Sequence, residues 1–267
     1  MEDLSYFNPE GSILRKHQMK MVDILCVIDK ICKKHKINYW LSSGTLLGAV
    51  RHQGFIPWDD DLDIEMLAED YNRFLSVIQS ELPDDLVLQS YKTDPNYVAP
   101  YVKIRDTKSC LYETSNKDCN YKYRGIYIDI FYIEPSIRFF IRVAMKLHGY
   151  LYKLSYRPCR KGSFLFYCKR LILVFLQNCI YPLFRILSKL LRCKKLYQCL
   201  GAGFLGERDK KDLFPLSTVC FEGKIFPAPY NPDAYLTRLY GNYMQLPPVE
   251  KRIANHTFDA YYKEENK

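Results

Sequence analysis

The sequence predicts a mixed α/β (α+β) fold, one core interrupted by a basic helical insert. Three observations carry that expectation. Helix-period and strand-period segments alternate over residues 13–133. A strand signal dense in carboxylates follows closely on a strand-glycine-helix turn. Charge is also segregated: residues 136–206 hold 14 of the 39 Lys and Arg and none of the 30 Asp and Glu, although the whole chain is only +9. With 267 residues, 48% apolar and 26% charged, the chain can bury a real core and does not have the composition of a disordered one.

The elements follow in order. Over residues 13–36, Leu14, Met21, Leu25, Ile28 and Cys32 share one helical stripe, with Ser12 as N-cap. A short strand, Ile37 to Leu41, leads to the break Ser42-Ser43-Gly44 and a helix from Thr45 to Arg51. Gly54 and Pro57 mark a loop. DLDIEM, Asp61 to Met66, alternates charged and apolar residues as a half-buried strand does. A second helix spans Asp70 to Ser80. Strand signals recur at Leu86–Gln89, Tyr101–Ile104 and Ile126–Ile133. Residues 207–267 return to mixed composition and close the core begun by 1–135, with 136–206 as the insert between them.

The N-terminus has no basic start followed by an apolar run, so no signal peptide is expected. None of the ten cysteines forms a Cys-x-x-Cys pair. Reduced thiols in a cytoplasmic protein are therefore expected rather than a zinc site or disulfides.

The chemistry gathers in residues 41–66. Asp59, Asp60, Asp61 and Asp63 crowd into five positions. On a strand, Asp59, Asp61 and Asp63 would face one way and Asp60 the other, with Leu62 and Ile64 anchored in the core. Two carboxylates one pleat apart suit a hard cation such as Mg²⁺ (or Mn²⁺). The turn through Ser43 and Gly44 into Thr45 offers helix N-terminal N–H groups to a phosphate, with the Ser43 and Thr45 hydroxyls as further donors. Asp129, alone among apolar residues in GIYIDIFYIE, is the candidate for a third metal carboxylate, since a charge there is costly unless paired or coordinated; a salt-bridged structural aspartate is the alternative. Asp129 is also the candidate general base.

The stretch SSGTLLGAVRHQGFIPWDDDLDIEM resembles the signature of the LicD family of phosphocholine and related phosphotransferases, which includes the fukutin-related proteins. The likeness continues in KIRDTKS (103–109), GIYIDIF (125–131) and FEGKIFPAPYNPDAYLTRLYGNYMQLPP (221–248). It implies a nucleotidyltransferase-like catalytic core. It also implies transfer of a phospho-substituent from a CDP-linked donor to a sugar hydroxyl of a glycan, with release of CMP. Within the family pattern Asp61, Asp63 and Asp129 match the metal carboxylates, and Ser43, Gly44 and Thr45 the phosphate turn. A nucleotidyltransferase that passes NMP to its acceptor is the alternative with the same fold.

Further candidates are Arg51, whose fork suits phosphate, and His52 beside it. Lys103 and Arg105 alternate on one strand and could face the donor phosphates. Asp59 and the late His256 are weaker candidates. Each has a bland alternative as a structural or solvated group. In the insert, the longest uncharged run, Leu171 to Phe184, holds 14 residues and includes Pro182, too short to span a bilayer. Basic amphipathic helices lying on the cytosolic membrane face, near a lipid-linked acceptor, are expected instead. A solvated subdomain is the alternative. No nucleic-acid partner is expected.

Overall fold

The structure, a computed structural model, describes residues 4–113, 117–155, 157 and 162–253, with backbone alone for 117 and 257–262. Its order is α1 (Ile13–His35), β1 (Trp40–Leu41), α2 (Ser43–His52), β2 (Asp63–Leu67), α3 (Ala68–Glu81), β3 (Leu86–Gln89), β4 (Val102–Asp106), β5 (Ser109–Glu113), β6 (Tyr127–Pro135), α4 (Arg138–Ser155), α5 (Phe164–Phe175), α6 (Tyr181–Leu190), β7 (Leu196–Gln198), β8 (Glu207–Arg208), α7 (Lys210–Leu213), β9 (Ser217–Phe221), β10 (Lys224–Ala228), α8 (Pro232–Tyr240) and β11 (Thr257–Tyr262). Helices and a mixed sheet together make the expected α/β class.

Seven strands form the central sheet, in the order β1-β2-β6-β4-β3, with β7 and β8 added beside the far half of β6. Only β2 and β6 run parallel. A parallel pair needs a long crossover, and α3, β3 and β4 supply it. β6 is buried at eight of its nine positions, as its mostly apolar run favours, with Asp129 and Glu134 buried among the apolar residues. The β2–β6 register sets Asp63 opposite Asp129. On its other edge, β6 sets Asp129 opposite Lys103 of β4.

α1 starts where Ser12 Oγ accepts from Arg15 N–H at 3.1 Å and ends at left-handed Lys36. Lys33, Lys34 and His35 fill its last turn, where cations suit the helix dipole. Its inner stripe, including Met21, Leu25 and Ile28, is buried in the main core. Several bounds differ from the sequence expectation. β1 keeps two residues of the five anticipated. α2 begins at Ser43, two residues earlier. β2 begins at Asp63, because the Asp63 N–H is taken by Thr45 Oγ1 at 2.8 Å. β5, which pairs with β11, had no clear alternation to announce it.

The insert differs most. β7, inside residues 136–206, belongs to the central sheet, so the purely helical part ends near residue 191. Pro182 does not interrupt the helix either. A π-helical turn, Leu176–Ile180, precedes it and accommodates the proline that would clash with an α-helical carbonyl one turn back. α5, this turn and α6 thus make one 27-residue helix, Phe164–Leu190, long and apolar enough by length and composition to cross a membrane.

The insert docks through small clusters of its own, one joining Phe140, Ile141 and Ala144 to Leu176, Tyr181 and Tyr197. Between them His148 is fully buried. Its Nε2 lies 2.7 Å from the Val98 carbonyl, which can only accept, and Nδ1 lies 2.8 Å from the Tyr181 hydroxyl. The neutral Nε2–H tautomer satisfies both. Burial pulls its pKa down to about 4, opposed by the Val98 carbonyl. The unfolded chain binds a proton near pH 6.5, so stability is lost as pH falls from there toward 4. Replacing His148 with Gln is expected to flatten the dependence of urea midpoints on pH in that window. An unchanged slope would assign the acid sensitivity to other groups, such as buried His17.

Candidate active site

The acidic loop is built from both sides. Gln18 of α1 donates to the Asp59 carbonyl at 2.9 Å and clasps the loop backbone. Trp58 is buried, with its ring against Phe7. Leu62 and Ile64 are fully buried, which leaves Asp59, Asp61 and Asp63 half-buried while Asp60 is closed off. The alternation expected of the sequence therefore holds, although Asp59 and Asp61 precede the ladder.

The carboxylates act on one another. Asp63 is held well above the usual carboxylate range by burial, then by Asp61, Asp129 and Asp59, with Lys103 opposing. Asp59 is raised by burial, Asp61 and Asp60. Asp129 is raised by burial, and Lys103 works against that. The Lys103 ammonium lies 2.7 Å from Asp129 Oδ1 and 3.4 Å from the centre of the Tyr127 ring. Among the described residues no group of three or more His, Cys, Asp or Glu side chains is placed so that it could hold a metal ion as it stands. The donor set has the chemistry of a hard-cation site: four aspartates from adjoining segments, of which Asp59, Asp63 and Asp129 are raised by burial and by neighbouring carboxylates, with Lys103 as partial neutraliser.

The turn beside them has an unexpected detail. The left-handed residue is Ser43, at φ 49°, rather than Gly44. A Cβ on Gly44 would stand 3.0 Å from Asp59 Oδ2, so the missing side chain makes room for that carboxylate. Ser42 caps α2 without a side-chain bond. The Thr45 hydroxyl oxygen accepts from Asp63 N–H and ties the turn to the metal-candidate strand. Ser43 acts on the phenol of Tyr240 of α8, against the burial that raises it.

Not every candidate reaches this centre. Arg105 shares a strand face with Lys103, as alternation required, but it is fully buried. Its Nη1 donates to the Gly125 carbonyl at 2.8 Å, its Nε donates to Gln89, and Glu113 lies 3.7 Å away. These contacts tie Arg105 to the protein rather than to the open side of the carboxylate cluster. Arg51 Nη1 donates to the Tyr243 carbonyl at 2.6 Å and its Nε to His52 Nε2 at 2.9 Å, so both lean toward the C-terminal segment. Burial, then Arg51, pulls His52 down to about 4. His256 lies outside the described residues.

Two roles were not visible in the sequence. Gln18 looked like one polar residue of an amphipathic helix. Glu65 looked like an exposed alternate of β2, yet it is fully buried and bonded to Arg208, Gln198 and Tyr235. Its only sequence signal was a charge between Ile64 and Met66.

Known proteins resemble this chain in the same region. The family profile described as LicD/FKTN/FKRP, nucleotidyltransferase domain, matches residues 36–153. Those residues contain α2, β2, β4 and β6, and so the turn, the aspartates and Lys103. The chain is 29% identical over 264 residues to the lipopolysaccharide cholinephosphotransferase LicD of Haemophilus influenzae, covering 93% of this chain and 97% of that one. Over 34 residues it is 53% identical to the human ribitol 5-phosphate transferase FKRP, which is 13% of this chain and 7% of that protein. A 66-residue stretch is 44% identical to an uncharacterized protein of Rickettsia typhi, of which it covers 21%. The match is centred on the strands and turn that carry the carboxylates, and the likeness to one relative runs nearly end to end, so residues 36–153 form a LicD-type domain.

Proposed function

We propose that the protein transfers a phospho-substituent, phosphocholine or a similar group, from a CDP-linked donor to a sugar hydroxyl of a cell-surface glycan and releases CMP. The observation that carries this reading is the parallel register of β2 and β6. It sets Asp63 opposite Asp129, with Asp61 just ahead and Lys103 across the other edge. Asp61, Asp63 and Asp129 would hold Mg²⁺ (or Mn²⁺), which when bound neutralises donor phosphate charge and lowers the pKa of an acceptor hydroxyl.

The chain's own groups do the rest. The α2 N-terminus at Ser43, Gly44 and Thr45 receives donor phosphate oxygens. Lys103 draws Asp129 toward the ionised form against the burial that disfavours it. An ionised Asp129 can accept the proton of the attacking hydroxyl. Asp59, packed against Gly44, keeps the turn at its distance from the carboxylates.

The test is CMP release by purified protein with Mg²⁺ and CDP-choline, CDP-ethanolamine, CDP-glycerol or CDP-ribitol, with and without a glycan acceptor. Acceptor-dependent CMP from at least one donor, abolished by EDTA, is the expected result. Pyrophosphate release from a nucleoside triphosphate, with no CMP from any of the four, would favour the NMP-transferring alternative.

A further inference from the structure

The helix Phe164–Leu190 is inside out. Phe164, Tyr167, Leu171, Phe175, Ile186 and Leu190 face solvent, with Phe164 86% and Leu171 71% exposed. The first four fall at three- and four-residue spacing, so they form one continuous ridge. Only 22% of the helix's most apolar stretch is buried. Three of its four cations point the other way, Lys189 near its end being exposed. Lys169 is buried, Arg170 donates to the Tyr91 carbonyl, and Arg185 donates to Glu134 and to the Tyr132 hydroxyl, each at 2.7 Å. A solvated subdomain would reverse this arrangement. Lys169 and Arg170 are therefore turned toward the protein, away from any surface the ridge would meet. Lys195 too is occupied, by Glu207 and Asp209.

We infer that this apolar ridge is the docking surface for an anionic phospholipid membrane, with the helix lying in the plane of the headgroups. Charge complementarity selects the occupant. The exposed face of α4 carries Phe139, Arg142, Lys146, Tyr150 and Lys153, and Lys189, Arg192 and Lys194 stand exposed around the end of the long helix. Residues 136–206 contain no acidic side chain to oppose them. Aromatic and apolar groups beside unpaired-sign cations are the composition of an interfacial helix. Each exposed Lys or Arg adds attraction to an anionic surface. The helix could cross a bilayer by length, but its inner face is committed to the protein. Phe166, Leu173, Leu176 and Tyr181 are buried there, and the Arg185–Glu134 pair ties it to β6. Crossing would strip those contacts, whereas lying in the interface keeps them.

This inference does not depend on the transfer reaction, so the two can fail separately. Flotation of the full chain with phosphatidylcholine vesicles, with and without phosphatidylglycerol, reads it directly. The protein is expected to float with the anionic vesicles and to be retained in part at high salt, because apolar burial is not screened. Leu171→Gln, Phe175→Gln and Ile186→Gln combined should weaken binding at least about tenfold, with melting temperature and turnover of a soluble acceptor unchanged. Arg142→Gln with Lys146→Gln should weaken only the low-salt component. Four results would overturn the proposal: no flotation with either vesicle; wild-type flotation by the ridge variant; retention of the protein in membranes through alkaline carbonate, which means spanning; or a dimer in sedimentation that the ridge substitutions dissolve while vesicles go unbound.

Discussion

Asp63→Asn is expected to lower turnover about a thousandfold, the equivalent of about 4 kcal/mol in the barrier, and to leave the melting temperature equal or higher. The two halves of that result have one cause. Asp63 is raised well above the usual carboxylate range by burial and by Asp61, Asp129 and Asp59. The folded protein therefore bears a repulsion that only function explains. Asn keeps the shape and removes a charge from the cluster, so the fold is relieved. It also removes a metal oxygen of full charge from the site proposed for a divalent cation, so the reaction loses electrostatic stabilisation. The attraction between Lys103 and Asp63 is lost at the same time and offsets part of that relief. CMP release and thermal melting on the same preparation check both halves. Wild-type turnover in the variant, or in excess EDTA, would remove the metal from the mechanism. A fall in activity accompanied by a large fall in melting temperature would make Asp63 structural.

How much of this was legible in the sequence varies with the kind of force involved. α1, α3 and β3 came out within a residue or two, because local periodicity and a side-chain cap define them. The candidate carboxylates were legible for a similar reason: alternation around Leu62 and Ile64 decides which aspartates stay open. Depth was not. Alternation put Lys103 and Arg105 on one face correctly, but only tertiary packing decides that Lys103 ends on Asp129 while Arg105 is sealed by Gly125, Gln89 and Glu113. In the insert, composition gave the sign of the charge and missed its direction. A run of Lys and Arg among Phe and Leu says nothing about which set faces inward until Glu134, Tyr132 and the Tyr91 carbonyl claim Arg185 and Arg170. The start of β2 was likewise set from outside the strand, by the Thr45 hydroxyl.

The second large effect concerns stability and the way the closing segment completes the core. Arg208→Met is expected to destabilise the protein by about 3–5 kcal/mol, because it leaves the carboxylate of Glu65 buried without its counter-ion. Both side chains of that pair are completely buried. Glu65 also accepts from Gln198 Nε2 at 2.9 Å, from the Tyr235 hydroxyl at 3.0 Å and from Trp40 Nε1 at 3.3 Å. One carboxylate therefore joins β1, β2, β7, β8 and α8, and four of these partnerships are made by residues more than twenty positions away in the chain. Neutral donors can satisfy its lone pairs but cannot supply the charge, so the single variant bears the full penalty. Glu65→Gln leaves Arg208 in the same position, with only the Gly206 carbonyl as a close oxygen partner of its Nη1, at 2.6 Å. Combining Glu65→Leu with Arg208→Met removes both charges and should recover most of the loss, since a buried ion pair is often worth little against an apolar replacement. Urea unfolding of Glu65→Leu, Arg208→Met and the variant that combines these two measures the coupling. Glu65 stands two residues beyond Asp63 on the same strand face, so the single variants should also lose turnover as the C-terminal segment loosens around Ser43 and Tyr240. A loss of less than about 1 kcal/mol in Arg208→Met would mean that water reaches Glu65 and that the closing segment is held by its apolar contacts instead.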